Sequence, residues 1–282
     1  MDRRRPFNVR AMSWQAIGYL AMAFIVIMMG IPLFWMLTGS LKTLGEIYTF
    51  PPVWIPTDPQ WSNFSDAWNR APFERFYLNS IITTFIGMSI ELVNATLTAY
   101  ALAFLRFPYK RLVFILILAA LMIPSQVTIL PNFLTMANLD WVNTYQGIIL
   151  PGASVAFGTF LLRQYFMGLP KDVLDAAKVD GCSHLRLLWS VVIPMSKPVL
   201  VTFGLLSIVW KWNEFLWTLV ITNTLDMRTL PIGIAYLFDV EGNTQWGVVM
   251  AGTIFVVAPM LVIFLLAQRY IVEGITAGAT KG

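Results

Sequence analysis

An uninterrupted apolar run near the N-terminus limits how this chain can fold more than any other feature of its sequence. Residues Trp14–Leu37 include no charged side chain, and about 20 apolar residues are enough for a helix to cross the hydrocarbon core of a bilayer. A second uncharged run, Gly247–Ala267, lies near the C-terminus. Because a helix satisfies its own backbone polar groups, as lipid requires, both runs are predicted to be transmembrane helices.

The first run has an alternative reading as the apolar part of a signal peptide, because Arg3, Arg4 and Arg5 precede it. Such a part is about 7–15 residues long and is followed by a small-x-small cleavage site. This run is longer and ends without an obvious site of that kind. We therefore expect it to be retained as the first transmembrane helix.

Four further apolar stretches lie between these two runs, some with prolines and some with one or two charged residues. In composition, 57% of residues are hydrophobic and 12% charged, against about 45–50% and about 25% in an average soluble domain. The sequence therefore predicts one all-α integral membrane domain over residues 1–282, with six transmembrane helices. The four inner stretches are Asn79–Phe104, Leu112–Leu130, Gly147–Leu162 and Val199–Ile221.

Basic residues set the predicted orientation, since Lys and Arg in short loops stay on the cytoplasmic side. With the N-terminus inside, most of the 19 Lys and Arg residues fall on cytoplasmic segments. Both termini are therefore expected in the cytoplasm. The basic sequence pI of about 9.2 then follows from topology, and no nucleic-acid partner is needed to explain it.

Several kinds of site are absent from the sequence. One cysteine, Cys182, excludes an internal disulfide, and one histidine, His184, leaves no histidine cluster for a metal. The chain has no G-x-x-x-x-G-K-[ST] motif to cradle phosphates. If ATP drives its action, another chain must bind the ATP.

Two long segments are predicted on the outer side, Thr38–Leu78 and Thr222–Gln245. The first is rich in proline and aromatic residues. Its tryptophans are either interfacial anchors or part of a docking surface for an outer partner. Composition also leaves the second open between an ordinary connection and a partner contact.

The cytoplasmic segment Arg163–Pro198 has the pattern of two short helices. Pro170 precedes the first helix, where proline suits an N-terminus, and Gly181 breaks the run. Apolar residues then recur at three- and four-residue steps from Leu185 to Val192, until Pro194 and Pro198 end the second helix. The residues alone allow either a compact knob that fits a groove on a partner or an amphipathic connector on the lipid surface.

At this segment the sequence resembles the coupling motif of binding-protein-dependent ABC importers, which is Glu-Ala-Ala, three residues, Gly, nine residues, then Ile-x-Leu-Pro. The chain has Asp175-Ala176-Ala177, three residues, Gly181, nine residues and Val191-Val192-Ile193-Pro194. The spacing matches throughout. The departures are Asp for Glu at 175, Val for Ile at 191 and Ile for Leu at 193.

Other stretches resemble the carbohydrate subgroup of these permeases, of the maltose-permease and glycerol-phosphate-permease kind. The resemblance covers essentially the whole chain and includes a glycine-rich C-terminal tail. Many relatives have proline where this chain has Thr218. The stretches are Asn79-Ser80, Trp212-Asn213-Glu214-Phe215-Leu216-Trp217, Gln268-Arg269-Tyr270 and Ala277–Gly282.

The resemblance implies a non-catalytic permease subunit of an importer for a sugar or related solute, including a glycerol-phosphate derivative. In that family two permease subunits form the pathway, two ATP-binding subunits hold ATP and Mg²⁺, and an extracytoplasmic solute-binding protein delivers the solute. These partners, with membrane lipid, are therefore expected, and no cofactor is expected in this chain. A secondary transporter driven by an ion gradient is the alternative, although the internal repeats typical of such folds are not visible.

The resemblance also implies two contacts with the ATP-binding subunits. One lies in the predicted coupling loop, residues 171–194, and the other in a flexible tail after the last span. The coupling residues are Asp175, Ala176, Ala177, Asp180, Gly181 and Pro194, and the tail residues are Gly274, Gly278 and Lys281.

Polar residues inside the predicted spans are candidates for a solute pathway, because inserting an ionisable side chain into a bilayer costs roughly 2.5–3.5 kcal/mol. Lys211 and Glu214 are three residues apart, so on one helix they either pair with each other or share a wet cavity. Glu91 either lines the pathway or bonds between helices. The nearby tryptophans either stack on sugar rings or serve as packing. The candidates are Glu91, Asn94, Lys211, Trp212, Asn213 and Glu214.

Overall fold

The computed structural model describes residues 9–154, 156–239 and 244–279, and the regular structure within these ranges is helical throughout. Short 3₁₀ turns occur at 150–152, 225–227 and 234–237, and a π-helical turn at 188–192. The α-helices are Val9–Gly39 (α1), Leu44–Tyr48 (α2), Ser62–Arg70 (α3), Phe73–Phe104 (α4), Lys110–Ala120 (α5), Ser125–Asn138 (α6), Tyr145–Ile149 (α7), Ala156–Met167 (α8), Lys171–Val179 (α9), His184–Leu187 (α10), Ile193–Met195 (α11), Lys197–Trp212 (α12), Leu216–Ile221 (α13), Leu230–Gly233 (α14) and Trp246–Ala279 (α15).

Three helices, α1, α4 and α15, are long and apolar enough to cross a membrane unaided. Three bent helix pairs also qualify when each pair is counted as one span, which gives up to six spans in the described residues. The prediction of an all-α integral membrane protein is therefore confirmed. The bent pairs are Lys110–Ala120 with Ser125–Asn138, Tyr145–Gly152 with Ala156–Met167, and His184–Met195 with Lys197–Trp212.

The third predicted span, Leu112–Leu130, is not a continuous helix. Helices α5 and α6 meet at 102°, and Pro124 caps α6 in an extended conformation. Proline lacks a backbone N–H, and its ring pushes the preceding residue out of the helical region. The fourth predicted span, Gly147–Leu162, is likewise bent by 45° and extends to Met167.

The fifth predicted span, Val199–Ile221, is also interrupted. Helix α12 ends at Trp212 and α13 starts at Leu216. At the break, Asn213 Nδ2 donates to the Val209 carbonyl at 2.8 Å, and Glu214 Oε1 accepts from the Trp217 N–H at 3.1 Å. The Glu214 side chain thus satisfies an N–H in the first turn of α13 that the break leaves open. The Val209 carbonyl also accepts the Asn213 backbone N–H at 3.3 Å.

The described residues form two compact units, one within residues 9–70 and 237–255 and the other within residues 71–236 and 256–279. The single permease domain over residues 1–282 stays a prediction. In the first unit, Asn63 Nδ2 donates to the carbonyls of Ser40 and Lys42, at 2.9 and 3.2 Å. Arg70 Nη2 donates to Gln245 at 2.9 Å.

In the second unit, α4, α8 and α12 pack around a shared apolar core. Ala95 and Ala99 of α4 are buried against Leu162 and Phe166 of α8. A Cβ on Gly158 would lie 2.1 Å from Phe203 Cζ of α12. Small residues therefore let these helices approach closely, which is how helices associate in lipid.

Candidate functional site

The predicted coupling loop folds as a paired-helix segment, residues 171–195, which we call the coupling segment. Helix α9 ends in a Schellman turn, because the Cys182 N–H bonds to the Ala177 carbonyl and the Gly181 N–H to the Lys178 carbonyl, both at 3.0 Å. Gly181 has φ +75°, a conformation that a Cβ disfavours. No atom lies within 4 Å of the position of a Cβ there, so backbone conformation rather than crowding requires the glycine.

The second half of the segment differs from the prediction in where it ends. Ser183 Oγ caps α10 by accepting from the Arg186 N–H at 3.4 Å. The chain then continues through the π-helical turn and past Pro194 to Met195. The break comes at Ser196, and Pro198 lies in the first turn of α12. Neither proline ends the helix. Pro194 lies in α11, which directly follows the π-helical turn, and Pro198, in the first turn of α12, needs no N–H partner.

The inner face of the coupling segment is buried against the membrane helices. Leu174, Leu187, Leu188 and Val192 are at most 6% exposed and belong to the same apolar core as α4 and α8. The segment is also joined to α4 by a hydrogen bond of 3.2 Å between Tyr100 Oη and His184 Nδ1. It is therefore packed on the spans.

The outer face carries apolar side chains that the chain leaves uncovered. Leu185 and Trp189 are 68% and 65% exposed, and Val179 is 88% exposed. Asp175 is exposed and forms a 2.8 Å ion pair with Lys178, whose hydrogen bond and charge lower the pKa of the Asp175 carboxyl. The other predicted coupling residues, Ala176, Ala177, Asp180, Gly181 and Pro194, are exposed or partly exposed.

The tail that was predicted to be flexible is helical as far as Ala279, and its contact with the ATP-binding subunits stays a prediction. Gly274 and Gly278 lie within helix α15 and not in a flexible segment. A glycine costs about 1 kcal/mol in a helix interior but does not by itself end the helix. Lys281 lies outside the described residues.

A cavity of about 520 Å³ opens within the second unit, bordered by α4, α6, α12, α13 and the bend after α7. Four of the predicted pathway residues line it, namely Glu91, Lys211, Asn213 and Glu214. Asn94 and Trp212 are not among its lining residues. Trp212 is 3% exposed and its Nε1 donates to the Val256 carbonyl at 3.0 Å, so its ring packs between helices and not at the cavity.

A buried polar cluster, formed by Glu91, Ser207 and Lys211, lies at the wall of this cavity. Lys211 Nζ is 3.1 Å from Glu91 Oε2, and Ser207 Oγ donates to the same oxygen at 2.5 Å. Glu91 Oε1 is buried with no hydrogen-bond partner among the described residues. Lys211 thus pairs with Glu91 and not with Glu214, since α12 ends before residue 214 and the two do not share a helix.

The cluster also supports the bend in the fourth span. Lys211 Nζ donates to the Gly152 carbonyl at 3.0 Å, and Asn94 Nδ2 donates to the Ala153 carbonyl at 2.9 Å. A break in a membrane helix frees such carbonyls, and neighbouring helices must satisfy them. The contacts of Glu91 match the interhelical alternative that the sequence left open for it. A role in a solute pathway, for Glu91 and for Asn94, stays a prediction.

Several cavity and cluster residues were not among the candidates predicted from the sequence. Ser207 is one helical turn before Lys211, a spacing that would have linked the two. Gly87 is one turn before Glu91 and leaves room for the lysine, since a Cβ there would lie 3.0 Å from Lys211 Cδ. Trp217 Nε1 donates to the carbonyls of Gly147 and Ile148 at 3.1 and 3.2 Å, a contact without a local sequence signal.

The helical spans, the polar cavity and the coupling segment with its exposed apolar side chains together define the chain as a membrane transport protein. Residues 91–276 match the family described as the binding-protein-dependent transport system inner membrane component. The chain belongs to this family.

Similar proteins agree with this membership over nearly the whole chain. The chain is 35% identical over 282 residues to the sn-glycerol-3-phosphate transport system permease protein UgpE of Yersinia pestis, covering 98% of both chains. It is 33% identical to the arabinooligosaccharides transport system permease protein AraQ of Halalkalibacterium halodurans, covering 96% of this chain and 97% of that one. A crystal structure of a bacterial ABC transporter involved in the import of the acidic polysaccharide alginate has the same fold, with a TM-score of 0.82, 23% identity, and coverage of 95% and 99%.

Proposed function

We propose that the chain is a permease subunit of an ATP-binding-cassette importer that moves a sugar or sugar-related solute across the cytoplasmic membrane. Membership of the binding-protein-dependent family and the names of its relatives, which include glycerol-3-phosphate and arabinooligosaccharide permeases, support this function. Its partners would be a second permease subunit, two ATP-binding subunits, an extracytoplasmic solute-binding protein and membrane lipid. ATP and Mg²⁺ would bind in the ATP-binding subunits, and this chain would be non-catalytic.

The coupling segment supports the proposal most strongly, because one of its faces is buried against the spans and the other is exposed. Its inner leucines are buried in the core that α4 and α8 share, so a force on the segment would move those spans with it. Its outer face presents Val179, Leu185 and Trp189 to a partner. Closure of the ATP-binding subunits would therefore rock the spans as a rigid body, which is a hinge-type transition.

The coupling residues have distinct parts in this proposal. Gly181 sets the angle between the two short helices through its positive φ. Asp175 and Asp180 would offer exposed carboxylates to the partner, and the small side chains of Ala176 and Ala177 would let it approach α9 closely. Pro194 would restrict the backbone where the segment leads back to the membrane. Gly274, Gly278 and Lys281 would add a second contact with the ATP-binding subunits near the C-terminus. With the basic residues inside, both termini would be cytoplasmic.

The energy source separates this function from an ion-gradient transporter. The complete complex, reconstituted in vesicles with its solute-binding protein, should accumulate solute when ATP is enclosed on the cytoplasmic side. A proton or sodium gradient without ATP should give no accumulation. A gradient-driven uptake that persists without the ATP-binding subunits would overturn the proposal.

A further inference from the structure

The positive charge in the cavity of the second unit is already paired with a negative one. Among the described residues that line it, Lys211 is the one cation, and Glu91 and Glu214 are the acids. Lys211 is held 3.1 Å from Glu91 and donates to the Gly152 carbonyl. Its charge is therefore balanced within the wall.

Glu214 leaves the cavity with a surplus negative charge. Its side chain lies at the break between α12 and α13, where one oxygen accepts the Trp217 N–H. No described cation lies within 4 Å of this carboxylate to form a salt bridge with it. Glu214 is exposed and borders the cavity, so its negative charge acts on any charged solute that enters.

Neutral hydrogen-bonding groups and aromatic rings make up much of the rest of the wall. Gln126, Asn132 and Asn213 supply amides, and Trp210 and Phe215 supply rings. The volume of about 520 Å³ falls in the range of about 300–1,000 Å³ typical of small-molecule sites. Amides bond hydroxyl groups as donors or acceptors, and rings pack on the apolar faces of a solute.

We infer that this cavity is a solute site selective for uncharged, hydroxyl-rich molecules over phosphate esters and uronates. The inference rests on the proposed function and adds the charge class of the solute. It sets this chain apart from relatives whose names specify glycerol-3-phosphate or alginate. The cavity wall carries a net negative charge, and its single described lysine is already paired. An anion would therefore be repelled, whereas a neutral polyol would not be.

The charge of the cavity is measurable without knowing the solute. In a Cys182→Ser background, Gln126→Cys places a thiol on the cavity wall of the complete complex. Its rate of reaction with the cationic trimethylammonium-ethyl methanethiosulfonate and with the anionic sulfonatoethyl methanethiosulfonate is followed by mass spectrometry of the peptide that contains residue 126. Each rate is divided by the rate of the same reagent with free cysteine.

The normalised ratio should favour the cationic reagent. Glu214→Gln should lower that ratio by at least about threefold, since it removes the surplus charge. Asp226→Asn makes the same charge change outside the cavity and should leave the ratio as it is. A ratio that favours the anionic reagent, or one that Glu214→Gln does not change, would overturn the inference.

Uptake tests the solute class itself. Vesicles with the complete complex are supplied with labelled sorbitol or sorbitol 6-phosphate, and with glucose or glucose 6-phosphate, none of which crosses a bilayer readily by itself. ATP-driven accumulation of either phosphate ester in preference to its neutral counterpart would overturn the inference and uphold the proposed function. If neither pair is accumulated, the reagent ratio decides the inference, and the test of ATP against an ion gradient decides the proposed function.

Discussion

The coupling segment and the buried polar cluster lie in the same unit but are stabilised by different means. The coupling segment depends on contacts close in sequence, a Schellman turn at Gly181 and a serine cap at Ser183, and on apolar packing of one face. The polar cluster depends on Glu91 and Ser207, which are 116 residues apart in the chain. Surface changes on the segment should therefore be tolerated by the fold, whereas the cluster should fail when one member is lost.

Removal of the lysine from the polar cluster should have the largest effect. Lys211→Met leaves Glu91 buried at 1% exposure without its cation, and breaking a buried ion pair in this way typically costs about 3–5 kcal/mol. The expected result is a large decrease in the melting temperature, measured in detergent. The double variant Glu91→Gln with Lys211→Met should recover part of that loss. Equal melting temperatures for the single variant and wild type would contradict a structural role for the pair.

The two faces of α10 provide a matched pair of leucines, and the buried one should affect stability almost as much as Lys211 does. Leu187 is 1% exposed and Leu185 is 68% exposed, two residues apart in one short helix. Leu187→Ala should destabilise the protein by about 2–5 kcal/mol, the usual cost for a buried leucine. Leu185→Ala should leave the melting temperature close to that of wild type and instead weaken co-purification with the ATP-binding subunits. Similar melting temperatures for the two variants would mean that the segment is not packed by its inner face.

The smallest effect is expected at the surface ion pair of the coupling segment. Asp175 and Lys178 are both more than half exposed, and such pairs contribute little because solvent screens them. Since the hydrogen bond and charge of Lys178 lower the folded-state pKa of Asp175, any contribution is complete above the unfolded pKa and is lost only as the pH falls through the folded value. The melting temperatures of wild type and Asp175→Asn should therefore differ equally little at pH 7 and pH 5. A difference that grows between these two pH values would contradict the assignment.

The same contrast explains how much could be read from the sequence. The spacing around Gly181 predicted the paired helices, because turns and caps depend on neighbouring residues. The breaks within the third and fifth spans were missed, since apolar composition alone does not reveal a bend at Pro124 or at Asn213. The partner of Lys211 was also missed, because it lies on another helix and the break after Trp212 removes Glu214 from the face that the spacing implied.

The coupling segment is proposed to connect ATP hydrolysis to movement of the spans. Gly181 allows this connection to be tested without a change in the buried core. Its φ of +75° costs a β-branched residue about 1–3 kcal/mol, whereas asparagine tolerates this conformation better than other residues with a Cβ. Gly181→Asn is therefore the matched control for Gly181→Val. Binding-protein-stimulated ATPase activity, solute uptake and complex yield should be measured together for both variants.

Gly181→Val should insert and pair with the second permease subunit but lose most of its uptake and of its stimulated ATPase activity. Gly181→Asn should retain the larger part of both activities. Wild-type uptake and stimulation in Gly181→Val, at normal complex yield, would contradict the assignment of residues 171–195 as the coupling segment.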